Sequence, residues 1–137
     1  MATRGNIGIV NEDGSITAIY VHWDSYPEYV GKMLLNHYNN VGIINELLDL
    51  GDLSSLSEKL YSTDFHSFDE PEEGVCVAYG RDRGETGSDS RTFEDLGEYE
   101  HFGSGVDYQY LFEDGKWMYR NTYGKGGWSD LTPEVCK

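Results

Sequence analysis

His22-Trp23-Asp24 is the tightest grouping of residues able to move a proton, since an imidazole near a carboxylate can act as base and acid. Alternate residues of an extended strand share a face. His22 and Asp24 would then point one way and Trp23 the other. The segment leads into a helix start, where free backbone N–H groups attract anions. With Tyr26, Arg81 and Arg83, these residues form a candidate ligand-binding site for a nucleotide signal. The competing reading is structural: Trp23 in the core and Asp24 supporting the helix start. A third reading makes His22 and Asp24 an enzyme's acid–base pair. Two other histidines sit among acids, His66 near Asp64, Asp69 and Glu70, and His101 beside Glu98 and Glu100. A metal needs about three converging ligands, and neither spacing supplies them. No His-Glu-x-x-His, EF-hand or Walker pattern occurs, and no serine or cysteine has a nucleophile's context. The expectation is therefore a non-enzyme with no catalytic residues, no metal and no cofactor. Arg81 and Arg83 either pair with neighbouring acids or hold a phosphate, and the acids around them favour pairing.

Charge is the stronger signal. The 137 residues carry 25 Asp and Glu against 10 Lys and Arg, a net of −15. Twelve of the acids fall in one stretch: Asp64, Asp69, Glu70, Glu72, Glu73, Asp82, Glu85, Asp89, Glu94, Asp95, Glu98 and Glu100. Only Arg81, Arg83 and Arg91 oppose them there, so the stretch holds −9 of the −15. Such a surface repels nucleic acid and is attracted to a basic groove. Duplex DNA carries roughly one charge per 1.7 Å of axis, so a folded display of carboxylates can compete for a DNA-binding groove. The plain alternative is that net charge keeps the protein soluble.

Composition and length set the frame for these residues. One domain, 1–137, is expected, and 14% aromatic content is too high for a disordered acidic tail. No apolar run reaches the roughly 18 residues of a membrane span, and the N-terminus lacks signal-peptide character, so a cytosolic protein is expected. Cys76 and Cys136, without Cys-x-x-Cys spacing, read as free thiols, with a disulfide between them as the alternative.

Residues 6–11 and 15–23 read as a hairpin around Asp13-Gly14. A two-residue turn there would pair Ile9 with Ala18 and Ile7 with Tyr20. A helix over 26–39 follows, opened by a Ser25/Glu28 capping box with Pro27 in its first turn. A second helix covers 41–50, with Ile43, Ile44, Leu47 and Leu48 as its stripe and Gly51 as its stop. A third is expected near 55–61. Residues 62–74 and 80–91 read as acidic loops flanking a buried strand, 75–80, and 93–102 is ambiguous between helix and loop. The clearest element is a hairpin over 106–121. Its Asp114-Gly115 turn sets Glu113 opposite Lys116, Phe112 opposite Trp117, Leu111 opposite Met118 and Tyr110 opposite Tyr119. Its aromatic face could stack bases, but base stackers need a basic groove, so a core role is favoured. Strands at both ends with helices between them predict an α+β fold: an antiparallel sheet built from N- and C-terminal hairpins, with two to three helices packed on one face and Trp23 and Trp117 buried.

The opening TRG-x-IGIVNEDGSITAIYVHWDSYPEYVGKMLL, then LLDLGDLSSL, HSFDEPEEGVCVAYGRDRGE and the closing YLFEDGKW, resemble a group of small acidic proteins encoded by tailed bacteriophages. The most specific piece is HWDSYPEYVGK. The resemblance implies a setting, the cytoplasm of an infected host, where small acidic phage proteins resemble inhibitors of host defence such as anti-CRISPR proteins, anti-restriction proteins and other DNA mimics. The expected partner is a host defence protein with a basic nucleic-acid groove, without direct nucleic-acid or membrane binding. Because the chain is only modestly acidic up to residue 63, one acidic face is expected rather than an all-round mimic. The alternative function is sequestering a nucleotide messenger.

Overall fold

The computed structural model describes residues 2–62, 66–123 and 127–137. The fold is α+β. Among the described residues, eight strands form one mostly antiparallel sheet in the order β4-β3-β2-β1-β6-β7-β8, with β5 also pairing on β2. The strands are β1 (Gly5–Val10), β2 (Ile16–Val21), β3 (Leu53–Ser55), β4 (Val77–Ala78), β5 (Arg91–Phe93), β6 (Tyr108–Glu113), β7 (Lys116–Asn121) and β8 (Ser129–Asp130). The helices are α1 (Lys32–His37), α2 (Val41–Asp49), α3 (Tyr79–Arg83) and α4 (Leu96–Phe102). The two hairpins meet at the centre, where β1 and β6 run parallel, with Ile7 beside Tyr110 and Ile9 beside Phe112.

The β6–β7 register is the expected one, Glu113 with Lys116 through Tyr110 with Tyr119. Asp114 (φ 52°) and Gly115 (φ 80°) both take the left-handed conformation that a type I′ turn requires. The β1–β2 register departs from expectation by one residue: Ile7 pairs with Ile19, Ile9 with Thr17 and Val10 with Ile16. Here Gly14 alone has positive φ, and the loop is three residues long, closed by Gly14 N–H to Asn11 O (3.0 Å) and Asn11 N–H to Ser15 O (2.7 Å). A one-residue slip exchanges faces. Ile7, Ile9, Ile19 and Val21 therefore share one face with Tyr110, Phe112 and Trp117, while Ile16 and Ala18 join Leu111 on the other.

The first face carries the main core. Leu34 and Tyr38 from the α1 segment and Ile44, Leu47 and Leu48 of α2 pack on it. Entry to α1 is a π-helical turn over Pro27–Gly31, and no side chain caps it; the Ser25 hydroxyl instead donates to Val21 O. Asn40 caps α2 by accepting from the Ile43 N–H (2.9 Å). On the opposite face α4 lays Tyr99 over Gly8, where a Cβ would sit 3.1 Å from the ring, and the Tyr99 hydroxyl donates to Tyr110 O (2.7 Å). A buried amide joins α4 to the sheet: Gln109 donates to Asn6 Oδ1 and Tyr99 O and accepts from Arg120 Nε.

The helix expected near 55–61 does not form, since Leu53–Ser55 is spent on pairing with β2 and β4. Residues 93–102 resolve into the end of β5 and α4, and 80–91 includes most of α3. Trp117 is buried as expected, but Trp23 is 43% exposed, because β2 ends at Val21 and the chain turns before the indole can enter the core. Both cysteines are free and buried. No helix among the described residues is long and apolar enough to cross a membrane.

Gly51 follows α2 at φ 79°, and a Cβ there would lie 2.3 Å from Ser88 O. Left-handed backbone costs an L-residue roughly 1–2 kcal/mol, and the carbonyl cannot move without breaking its bond to the Asp52 N–H (2.7 Å). Gly51→Ala is expected to destabilise by about 2–4 kcal/mol, seen as a lower urea midpoint at unchanged slope.

Candidate functional site

The acidic stretch runs along the side of the sheet beyond β2, where β4, paired to β3, is the edge strand. β3 pairs with β2 at Val21, and β5 pairs with it at Ile16–Ala18. Residues 66–89 therefore lie toward one end of β2, and Glu94 and Asp95 lie at the other. Asp69, Glu70, Glu73, Glu85, Asp89, Glu94, Asp95 and Glu98 are exposed. Glu72 and Glu100 are half-buried and tied down: Glu72 accepts from the Ser62 hydroxyl (3.0 Å) and Glu100 from the Trp128 indole N–H (2.9 Å). Asp95 caps α4 by accepting from the Glu98 N–H (2.9 Å). Asp64 lies outside the described residues.

Asp82 does not belong to this surface. Its side chain is 4% exposed and accepts from the Ala78 N–H (2.8 Å), from Arg81 Nε (2.9 Å) and from His66 Nε2 (3.0 Å). Burial alone would raise this carboxyl. The bonds from Arg81, the Ala78 N–H and His66 outweigh it and hold the group below its ordinary 3.8. His66 Nδ1 accepts from the Glu72 N–H (2.9 Å), so its ring proton is on Nε2. Both ring nitrogens are thus occupied internally. The cluster is a clasp: it pins the 66–72 loop to α3, and Arg81 reaches on to Leu60 O and Cys76 O.

The alternative ligand cluster is only partly assembled. His22 Nδ1 bonds the Tyr20 hydroxyl (2.8 Å), and its ring meets Trp23 edge-on at 4.7 Å. Asp24 is not in strand conformation, at φ 58°, so it does not share a face with His22; it accepts from the Tyr26 hydroxyl (3.2 Å). Trp23, Asp24 and Tyr26 are exposed together at this corner. Arg81 is consumed by the clasp. Arg83 stacks over Phe68 at 4.9 Å and lines a cleft of about 370 Å³ with Ser67, Phe68, Asp69 and Asp82, to which none of the corner residues contributes. Among the described residues, no group of three or more His, Cys, Asp or Glu side chains could hold a metal ion.

The structure adds acids that sequence reasoning left out. Parallel pairing of β1 with β6 puts both hairpin turns at the same end of the sheet. Antiparallel β2–β5 pairing brings Glu94 and Asp95 to that end as well. Glu12, Asp13, Glu94, Asp95, Glu113 and Asp114 are all exposed there, with Lys116 among them. The Asp-Gly turn signals were readable; the parallel contact that aligns them was not. No family model, curated protein or solved structure matches the chain.

Proposed function

We propose that this chain is a non-enzymatic, phage-encoded inhibitor that works in the host cytoplasm and occupies the basic nucleic-acid groove of a host defence protein. The observation that carries the reading is the exposure of eight carboxylates on the segments in and around β4, α3, β5 and α4: Asp69, Glu70, Glu73, Glu85, Asp89, Glu94, Asp95 and Glu98. Duplex DNA carries roughly one charge per 1.7 Å of axis, so eight carboxylates equal the charge of about 14 Å of duplex. The non-enzymatic reading is supported by the separation of the one acid–base pair the sequence offered: Asp24, at φ 58°, does not share a face with His22 and accepts from the Tyr26 hydroxyl instead. The phage setting is supported by the sequence resemblance alone.

Amide replacement of Asp69, Glu70, Glu73, Glu85, Asp89 and Glu94 tests the proposal. All six side chains are exposed. Stability should change little, since exposed substitutions stay within roughly ±0.5 kcal/mol each. Affinity for the protein retained from bacterial lysate should fall about tenfold or more, through slower association and a shallower salt dependence. Unchanged affinity and salt slope would leave the acids with solubility as their only role.

A further inference from the structure

We infer that the exposed corner formed by Trp23, Asp24 and Tyr26 is the anchor of the interface, a socket for one arginine side chain of the basic partner; this rests on the reading that the partner is basic. Three half-buried aromatic faces in this molecule are covered by its own arginines: Arg83 over Phe68 at 4.9 Å, Arg91 over Phe102 at 5.3 Å and Arg120 over Trp128 at 5.9 Å. The exposed rings of Tyr61 and Tyr123 carry no such cover among the described residues. Among the described residues no cation lies over Trp23 or Tyr26, although they are 43% and 36% exposed. The carboxylate between them has no cationic partner either. Among the described residues no ion pair includes Asp24, and its one recorded hydrogen bond comes from the Tyr26 hydroxyl. Glu28 adds negative charge nearby, close enough to act on the Tyr26 hydroxyl alongside Asp24.

A guanidinium suits this set of groups. Its plane stacks on an indole or phenol face while its N–H fork pairs with a carboxylate. Trp, Tyr and Arg are also the residues that dominate interface energetics. The corner sits just past the end of β2 and beside β3, with Trp23 N–H bonded to Ser54 O (3.0 Å), so its backbone is held by the sheet. An arginine docked there would fix the register of a partner that the acidic surface attracts without specifying its position.

The probes are two short blocked peptides, tetra-arginine and tetra-lysine, titrated at low salt into the ¹⁵N-labelled full chain. The Trp23 indole N–H signal, assigned by its loss in Trp23→Phe, should shift saturably with tetra-arginine, while the Trp117 signal stays in place. Asp24→Asn removes the charge and tolerates the left-handed backbone. It should bind tetra-arginine about threefold to tenfold more weakly, and so should Trp23→Ala. Tetra-lysine should bind more weakly and shift Trp23 less. Tetra-arginine binding with an unmoved Trp23 signal and unchanged affinity in both variants would overturn the socket and leave the acidic-surface reading standing. Equal binding and equal Trp23 shifts from the two peptides would overturn the assignment to arginine. No binding of either peptide would overturn the socket and the basic-partner reading together.

Discussion

Arg81→Met should destabilise the protein by about 3–5 kcal/mol, because it leaves the buried Asp82 carboxylate without its cation. The guanidinium also satisfies Leu60 O and Cys76 O (the latter at 2.7 Å), so two carbonyls lose a donor as well. The pH dependence separates the charge from the packing. Asp82 is held below its ordinary 3.8 in the folded protein. Its contribution is therefore fully present above about pH 4 and is lost as the pH falls through the lower folded value. In the variant no cation remains to hold the carboxyl down. The difference between wild type and Arg81→Met in urea should shrink from pH 7 to below pH 4. A difference that stays constant with pH would assign the loss to packing alone.

Trp117→Ala should cost about 3–5 kcal/mol. The indole is 3% exposed, packs edge-on against Phe112 at 5.1 Å and donates to Tyr38 O (2.7 Å) across 79 positions of sequence. Its removal opens a cavity between the second hairpin and the end of α1 and strands a carbonyl. Trp23→Ala, by contrast, should remain within roughly ±0.5 kcal/mol of wild type. Urea unfolding of the two variants side by side checks the pair. A large loss at Trp23 would mean that this corner belongs to the core and not to an interface.

These two tryptophans mark the boundary of what sequence could settle. Trp117 follows a two-residue turn whose geometry is local, so counting back from Asp114-Gly115 places it opposite Phe112. Trp23 has the parity of buried Ile19 and Val21, but β2 ends at Val21 and Asp24 turns left-handed at φ 58°, a stop that no local pattern marks. The loop at Asp13-Gly14 was ambiguous in its own right, since a glycine at φ 89° closes a three-residue loop as well as a two-residue one, and this shifted the β1–β2 register and exchanged its faces. Local chemistry also located α2 through its apolar stripe and the Gly51 stop. It failed at 55–61, where the expected helix lost to strand pairing between residues far apart in sequence.

The candidate site divides in the same way. The acids themselves were legible. Which of them face solvent depended on neighbours that only the fold supplies, as Asp82 shows by turning inward to His66, sixteen residues away. The acidic end shared by the two hairpin turns depends on the parallel β1–β6 contact, which joins segments about a hundred residues apart. A contact of that kind leaves no local pattern.

Competition between this protein and duplex DNA for one groove is the most direct test. The protein retained from host lysate would be loaded with labelled duplex and titrated with this chain at increasing salt. The account predicts that wild type displaces the DNA, that displacement weakens steeply as salt rises, and that the six-amide variant displaces it poorly at every salt. A ternary complex, with DNA and this chain held together on the same partner molecule, would contradict it.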